Sequence, residues 1–166
     1  MFGKRLLLVL FSASLLIQCA GGGATTASRS GYKKTIGDFR KAGIRLKSRN
    51  LIMKYGFEIE REEGVEEDDI GDIYLSTRWK TRMPYEDEKA NNIISARMKV
   101  TIRGRASQRV LNMTSGERLF KVEFDTEGEV MIRGQDEWVK QSYSVELTAY
   151  FQKFYEELAA ELRFTR

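Results

Sequence analysis

Residues 94–105 alternate almost without a break. Ala96, Met98, Val100 and Ile102 share one side, while Arg97, Lys99, Thr101, Arg103 and Arg105 share the other. Strict alternation marks a strand with one dry face and one wet face. Such a strand needs neighbours to pair with and a cover for its dry face. The neighbours are close in sequence. Residues 57–61 alternate, and residues 73–80 place Ile73, Leu75, Thr77 and Trp79 on one side and Tyr74, Ser76, Arg78 and Lys80 on the other. In 119–125, Phe120, Val122 and Phe124 turn inward between Lys121, Glu123 and Asp125, and shorter runs follow at 109–113 and 130–133. The links are an acidic stretch at 62–72, a polar loop at 82–92 holding the only proline, Pro84, and turns at 114–117 and 126–128. Alternating runs joined by links of this kind predict an antiparallel meander of about five to six strands.

The cover comes from the C-terminal segment. From Tyr143 onward, Leu147, Tyr150, Phe151, Phe154, Leu158 and Leu162 recur at spacings of three and four, and Tyr155 and Ala159 widen the stripe. That periodicity predicts one long helix, started by Ser142 or Ser144 and with Glu157 facing water. Ile36, Phe39, Ala42, Leu46 and Met53 predict a first helix over 35–55, closed by Gly56 in a left-handed cap. Gly37 and Gly43 oppose it, and a competing reading ends the helix near Ala42 with 44–49 extended. Arg40, Lys41, Arg45, Lys47 and Arg49 on this segment either meet anionic headgroups or form a solvated face. The expected class is therefore α+β: one sheet packed on one face by an N-terminal and a long C-terminal helix.

The N-terminus has a different character. Lys4 and Arg5 precede an apolar run over 6–17, the layout of a secretory leader. The run is shorter than the ~20 apolar residues that span a bilayer. It ends on the sole cysteine, and Leu16-Ile17-Gln18-Cys19 resembles a bacterial lipoprotein box. The resemblance implies a signal peptide over 1–18 and a Cys19 that carries palmitate-type acyl chains and anchors the protein to a membrane. Gln18 stands where the box has a small residue. An ordinary signal peptide cut near Gly22-Gly23-Ala24, or an uncut anchor, is the competing reading. Ala20, in place of aspartate, follows Cys19, which by resemblance to enteric lipoproteins implies the outer membrane, facing the periplasm. Residues 20–30 carry no large apolar side chain, so 19–30 reads as a flexible tether with a reach of roughly 20 Å. Residues 31–166 then form a single α+β domain.

Composition excludes much chemistry. A single cysteine allows no internal disulfide, and acylation removes a free thiol from an oxidising compartment. The chain has no histidine, the commonest neutral-pH acid–base group and metal ligand. No phosphate-binding loop, dinucleotide glycine pattern or nucleophile elbow is present. The acidic stretch lacks the spacing of a calcium-binding EF-hand. No metal, cofactor or catalytic residue is expected. The formal net charge is +4, and loss of Lys4 and Arg5 with the leader lowers it to +2. That balance and the expected export argue against nucleic acid as a partner.

The stretch Lys54-Tyr55-Gly56-Phe57-Glu58-Ile59, an acidic turn, Gly71-Asp72-Ile73 and Thr77-Arg78-Trp79 follow a predicted helix. This progression, over residues 39–79, resembles the helix-grip domains of BamC (NlpB) lipoproteins of the outer-membrane β-barrel assembly machine. It implies a helix-grip-like architecture. The long unstructured N-terminal segment of BamC has no counterpart here, so the resemblance does not extend to its partner contacts. The expectation is a non-enzymatic, membrane-anchored envelope lipoprotein serving as a binding or assembly module with an envelope protein partner. Arg78, Lys80, Arg97, Lys99 and Arg103 form the candidate surface for an anionic partner, unless Glu123 and Asp125 neutralise them across strands. The alternative is a carrier with an apolar ligand between sheet and helix, lined by Trp79, Phe120, Phe124, Tyr150, Phe151 and Phe154. A carboxylate-based hydrolase is disfavoured because nothing positions or desolvates the acidic cluster.

Overall fold

The structure is a computed structural model in which residues 31–64, 71–110 and 118–164 are described. The expected leader (1–18), the tether with Cys19 (19–30), the middle of the acidic stretch (65–70) and the turn at 114–117 lie outside those residues. In chain order the elements are β1 (Lys33–Phe39), α1 (Lys41–Lys54), β2 (Ile59–Glu63), β3 (Ile73–Thr77), β4 (Lys80–Arg82), α2 (Glu86–Lys89), β5 (Ile93–Val110), β6 (Arg118–Ile132), β7 (Val139–Lys140) and α3 (Val145–Arg163).

The chain is α+β, with a seven-stranded sheet ordered β1-β6-β5-β3-β2. All of its pairings are antiparallel. β5 and β6 form the long central pair; β4 lies beside β5 beyond the end of β3, and β7 lies beside β6. Ala96, Met98, Val100 and Ile102 of β5 are buried, as the alternation requires. They share a core with Ile44, Leu51 and Ile52 of α1 and with Leu147, Phe151, Phe154, Leu158 and Leu162 of α3, apart from Ala96, which joins a smaller cluster with Ile93 and Val130. Both helices thus cover one face of the sheet. Ser144 caps α3, its Oγ accepting from the Leu147 N–H at 3.1 Å. α1 ends as expected: Gly56 sits at φ +70°, and the Gly56 and Phe57 N–H groups donate to Met53 and Ile52 carbonyls at 2.9 and 3.0 Å.

The first predicted helix begins too early. Residues 33–39 form β1 along β6, and a bulge between Thr35 and Gly37 breaks the period-two pattern. That extra residue leaves Ile36 and Phe39 three apart, the spacing of a helix. α1 starts at Lys41 without a side-chain cap, so nothing in the sequence announces it. The predicted break at 126–128 is also absent, because β6 runs straight through it. Thr126 is buried there and accepts from the Tyr32 N–H at 2.9 Å. A Cβ on Gly128 would stand 2.8 Å from the Tyr143 ring, so this glycine makes room for a close approach and is not a turn residue. The separate strand expected at 109–113 is in part a continuation of β5, which extends to Val110. Glu157 does not simply face water. It accepts from Lys54 Nζ at 2.8 Å, as Glu161 does from Lys47, and the two pairs join α1 to α3.

The loop expected at 82–92 holds α2. This short helix seats Glu88, which is buried and accepts from Arg82 Nη1 at 2.7 Å, Arg82 Nη2 at 2.5 Å and the Tyr85 N–H at 2.9 Å. The Arg82 guanidinium lies 4.2 Å from the Tyr85 ring centre, and Asp87 accepts from the Val145 N–H at 3.1 Å. The cluster links β4, α2 and the start of α3.

Candidate functional site

The outer face of the sheet carries the polar half of the alternation, and a bulge decides which aromatic joins it. Ser76 stands opposite Thr101, yet Lys80 stands opposite Met98, so the strand gains one residue over 77–80. The gain reverses the side on which each later residue falls. Thr77 repairs the ladder, its Oγ1 accepting from the Val100 N–H at 3.0 Å, while the Arg78 N–H donates to the Glu58 carbonyl at 2.8 Å. Trp79, expected on the dry face, reaches Arg97 on the outer face. Lys80, expected on the outer face, turns to the helix side and donates to the Tyr55 carbonyl at 2.6 Å.

Arg97 is the centre of the face. Its guanidinium lies 4.6 Å from the Trp79 ring centre and 4.4 Å from that of Trp138. These are the only two tryptophans in the chain. Glu129, opposite in register, accepts from Arg97 Nε at 2.9 Å and Nη2 at 2.5 Å. β7 holds Trp138 in place, because Val139 pairs with Val130 and Lys140 with Glu129. Neither partner of the ion pair is well hydrated, with side-chain exposures of 26% for Arg97 and 14% for Glu129.

The other expected cations differ in state. Lys99 donates to Glu60 at 2.9 Å. Arg103 stands opposite Glu123 in register, with its guanidinium 5.6 Å from the Tyr74 ring centre; Arg61 flanks the same ring at 5.1 Å. Glu123 and Asp125, expected to neutralise the face, lie 4.0 and 3.9 Å from Lys33 Nζ. Arg78 is exposed and borders a pocket of about 180 Å³ lined by Gly56, Glu58, Arg78, Trp79 and Lys80. The face is therefore a mixed aromatic and ionic surface in place of a plain cationic patch. Sequence reasoning missed Trp138 and Glu129. The signal available for both was weak: a tryptophan beside a short polar stretch, and a glutamate hidden by the misread turn.

Arg97→Ala is expected to cost about 2 kcal/mol, from two ring contacts of ~0.5–1 kcal/mol each and a partly exposed ion pair. Tryptophan emission should shift to the red in the same variant, since both rings lose the same neighbour. Urea melts followed by fluorescence test both expectations at once.

Among the described residues no group of histidine, cysteine or acidic side chains is placed to hold a metal ion, and no helix is long and apolar enough to cross a membrane. No family model matches the sequence, and no curated protein matches it. Among solved structures the chain is similar to the uncharacterized conserved protein YugN from Geobacillus kaustophilus HTA426, with 12% identity and a TM-score of 0.35 over 76% of this chain and 95% of that one.

Proposed function

We propose that the chain is a non-enzymatic lipoprotein of the bacterial envelope, anchored through Cys19, whose domain is a binding module for an envelope protein. Its contact surface is the outer sheet face centred on Arg97. The observation that carries this reading is the gathering of both tryptophans around one arginine on the sheet face opposite α1 and α3, which no helix among the described residues covers. Tryptophan and arginine are the residues most enriched where protein interfaces hold their binding energy. A sheet face with only a structural role needs neither ring. The paired state of Arg97 and Lys99 favours a protein surface, with its own mix of apolar and charged groups, over a simple polyanion.

The BamC-like progression of residues 39–79 bears on the architecture and not on the role, so a place in outer-membrane assembly rests on the expected envelope anchor alone. The anchor is tested separately. Cys19→Ser should abolish acylation, read by intact mass, and move the protein from the membrane fraction to the soluble one. A processed serine variant that still sediments with membranes after a high-salt wash contradicts anchoring by lipid.

A further inference from the structure

We infer that the pocket beside Trp79 receives a carboxylate of the protein partner, an inference that rests on the binding-module reading above. The pocket, of about 180 Å³, is lined by Gly56, Glu58, Arg78, Trp79 and Lys80. Three of these are consecutive in sequence. In a regular strand neighbouring side chains point to opposite faces, so 78, 79 and 80 would not line one hollow together. The extra residue between β3 and β4 breaks that rule and brings all three to a common space. The same bulge carries Trp79 to Arg97, so the pocket continues the Arg97 face toward Glu58 and the edge strand β2.

Two cations stand in the pocket wall. Lys80 Nζ donates to the Tyr55 carbonyl at 2.6 Å and lies 5.0 Å from the Phe57 ring centre. A Cβ on Gly56 would stand 3.1 Å from that nitrogen, so the glycine leaves the ammonium its place. An ammonium has three N–H donors, and the Tyr55 carbonyl takes one. Among the described residues no hydrogen bond or ion pair engages the Arg78 guanidinium or the Glu58 carboxylate. Glu60, the carboxylate on which Arg78 acts through space, is already held by Lys99 at 2.9 Å. Arg78 stands at the open end of the β2–β3 hairpin, where Ile59 pairs with Thr77; the acidic stretch leaves from the other end, where Glu63 pairs with Tyr74. Arg78 and Lys80 against Glu58 leave one net positive charge in the pocket. That balance matches a single carboxylate, held by charge-assisted bonds, and the Glu58 charge opposes a phosphate dianion. The Trp79 ring offers an apolar wall to the carbon stem that carries the carboxylate.

The test uses the full chain in detergent with isotopically labelled glycine. The Gly56 amide reports from the pocket wall, and Gly134, in open surroundings, is the control. Two peptide probes separate the sources of a carboxylate: acetyl-glycyl-glutamyl-glycinamide carries it on a side chain, and acetyl-glycyl-glutaminyl-glycine carries it at the chain end. Inorganic phosphate is the third probe. The expected result is a saturable shift of the Gly56 resonance with at least one peptide, none with phosphate, and none at Gly134. Arg78→Gln should weaken binding about tenfold through loss of a charge-assisted bond, and Glu58→Gln should strengthen it. Both positions are exposed, so both variants should keep the urea midpoint of the natural chain. In cells, with a photoreactive residue at Thr81, Arg78→Gln should lower the yield of crosslinked partner. If neither peptide moves Gly56, or the two variants change binding alike, the pocket is not a carboxylate site and the Arg97 reading stands. A shift with phosphate alone shows the ligand class to be wrong. Peptide binding without any response of the crosslink to Arg78→Gln shows that the partner does not use the pocket. Absence of any crosslink from 81 and 140 defeats the binding-module reading, and this inference with it.

Discussion

Phe154→Ala is expected to destabilise the domain by about 3–5 kcal/mol, the cost of truncating a fully buried aromatic. Phe154 is completely shielded from solvent in the middle of α3. Its ring centre lies 4.4 Å from that of Tyr55, 5.1 Å from Phe124 and 6.2 Å from Phe57, so one side chain joins the end of α1, the sheet and the approach to β2. Alanine leaves a cavity among rings held by separate elements, and they cannot all move in to fill it. The loss is a large share of the ~5–15 kcal/mol that a domain usually has. Urea midpoints of Phe154→Ala and of Thr148→Ala, an exposed position on the same helix, give the comparison. Equal small shifts would mean that α3 does not pack on the sheet through this stripe.

Glu88→Ala is the second large effect, about 3–5 kcal/mol, because it strands the Arg82 guanidinium in the interior. The side chains of Arg82 and Glu88 are 10% and 6% exposed. Replacing both partners by Arg82→Met and Glu88→Leu should recover most of the loss, since the cost lies in the unpaired charge. The pair also sets a pH dependence. Burial pushes the Glu88 carboxyl up, but Arg82 and the Tyr85 N–H outweigh burial and hold it below its ordinary value. A carboxyl depressed by folding contributes stability that is present above its unfolded pKa, ~4.3, and is lost as the pH falls through the folded one. Acid should therefore destabilise the natural chain more than Glu88→Gln, measured by urea melts at neutral pH and below about pH 4.

The elements that could be read from sequence are those whose pattern is unbroken. α3 keeps its stripe over nineteen residues without glycine or proline, and the middle of β5 alternates residue by residue. Patterns broken by one extra residue were misread. The bulge in β1 gave Ile36 and Phe39 a helical spacing, and the bulge before β4 exchanged the sides of Trp79 and Lys80. Gly128 looks like a turn residue because glycine usually marks one; the Tyr143 ring that needs its missing Cβ is distant in sequence. The candidate site was half legible for the same reason. Arg97, Lys99 and Arg103 follow from alternation alone. Trp79, Trp138 and Glu129 come to Arg97 only through strand register and β7, which no local pattern encodes.

Site-specific photocrosslinking in cells tests the binding surface most directly. A photoreactive residue is placed at Thr81 or Lys140, exposed positions that lie opposite Arg97 and Glu129 in register and leave the tryptophans intact, and at Thr148 on α3 as a control. The expected result is a discrete crosslinked envelope protein from positions 81 and 140, none from 148, and loss of the product when Trp79→Ala and Trp138→Ala are combined in a chain that still folds. Crosslinks from 148 alone, or products at 81 and 140 that persist without the tryptophans, would contradict it.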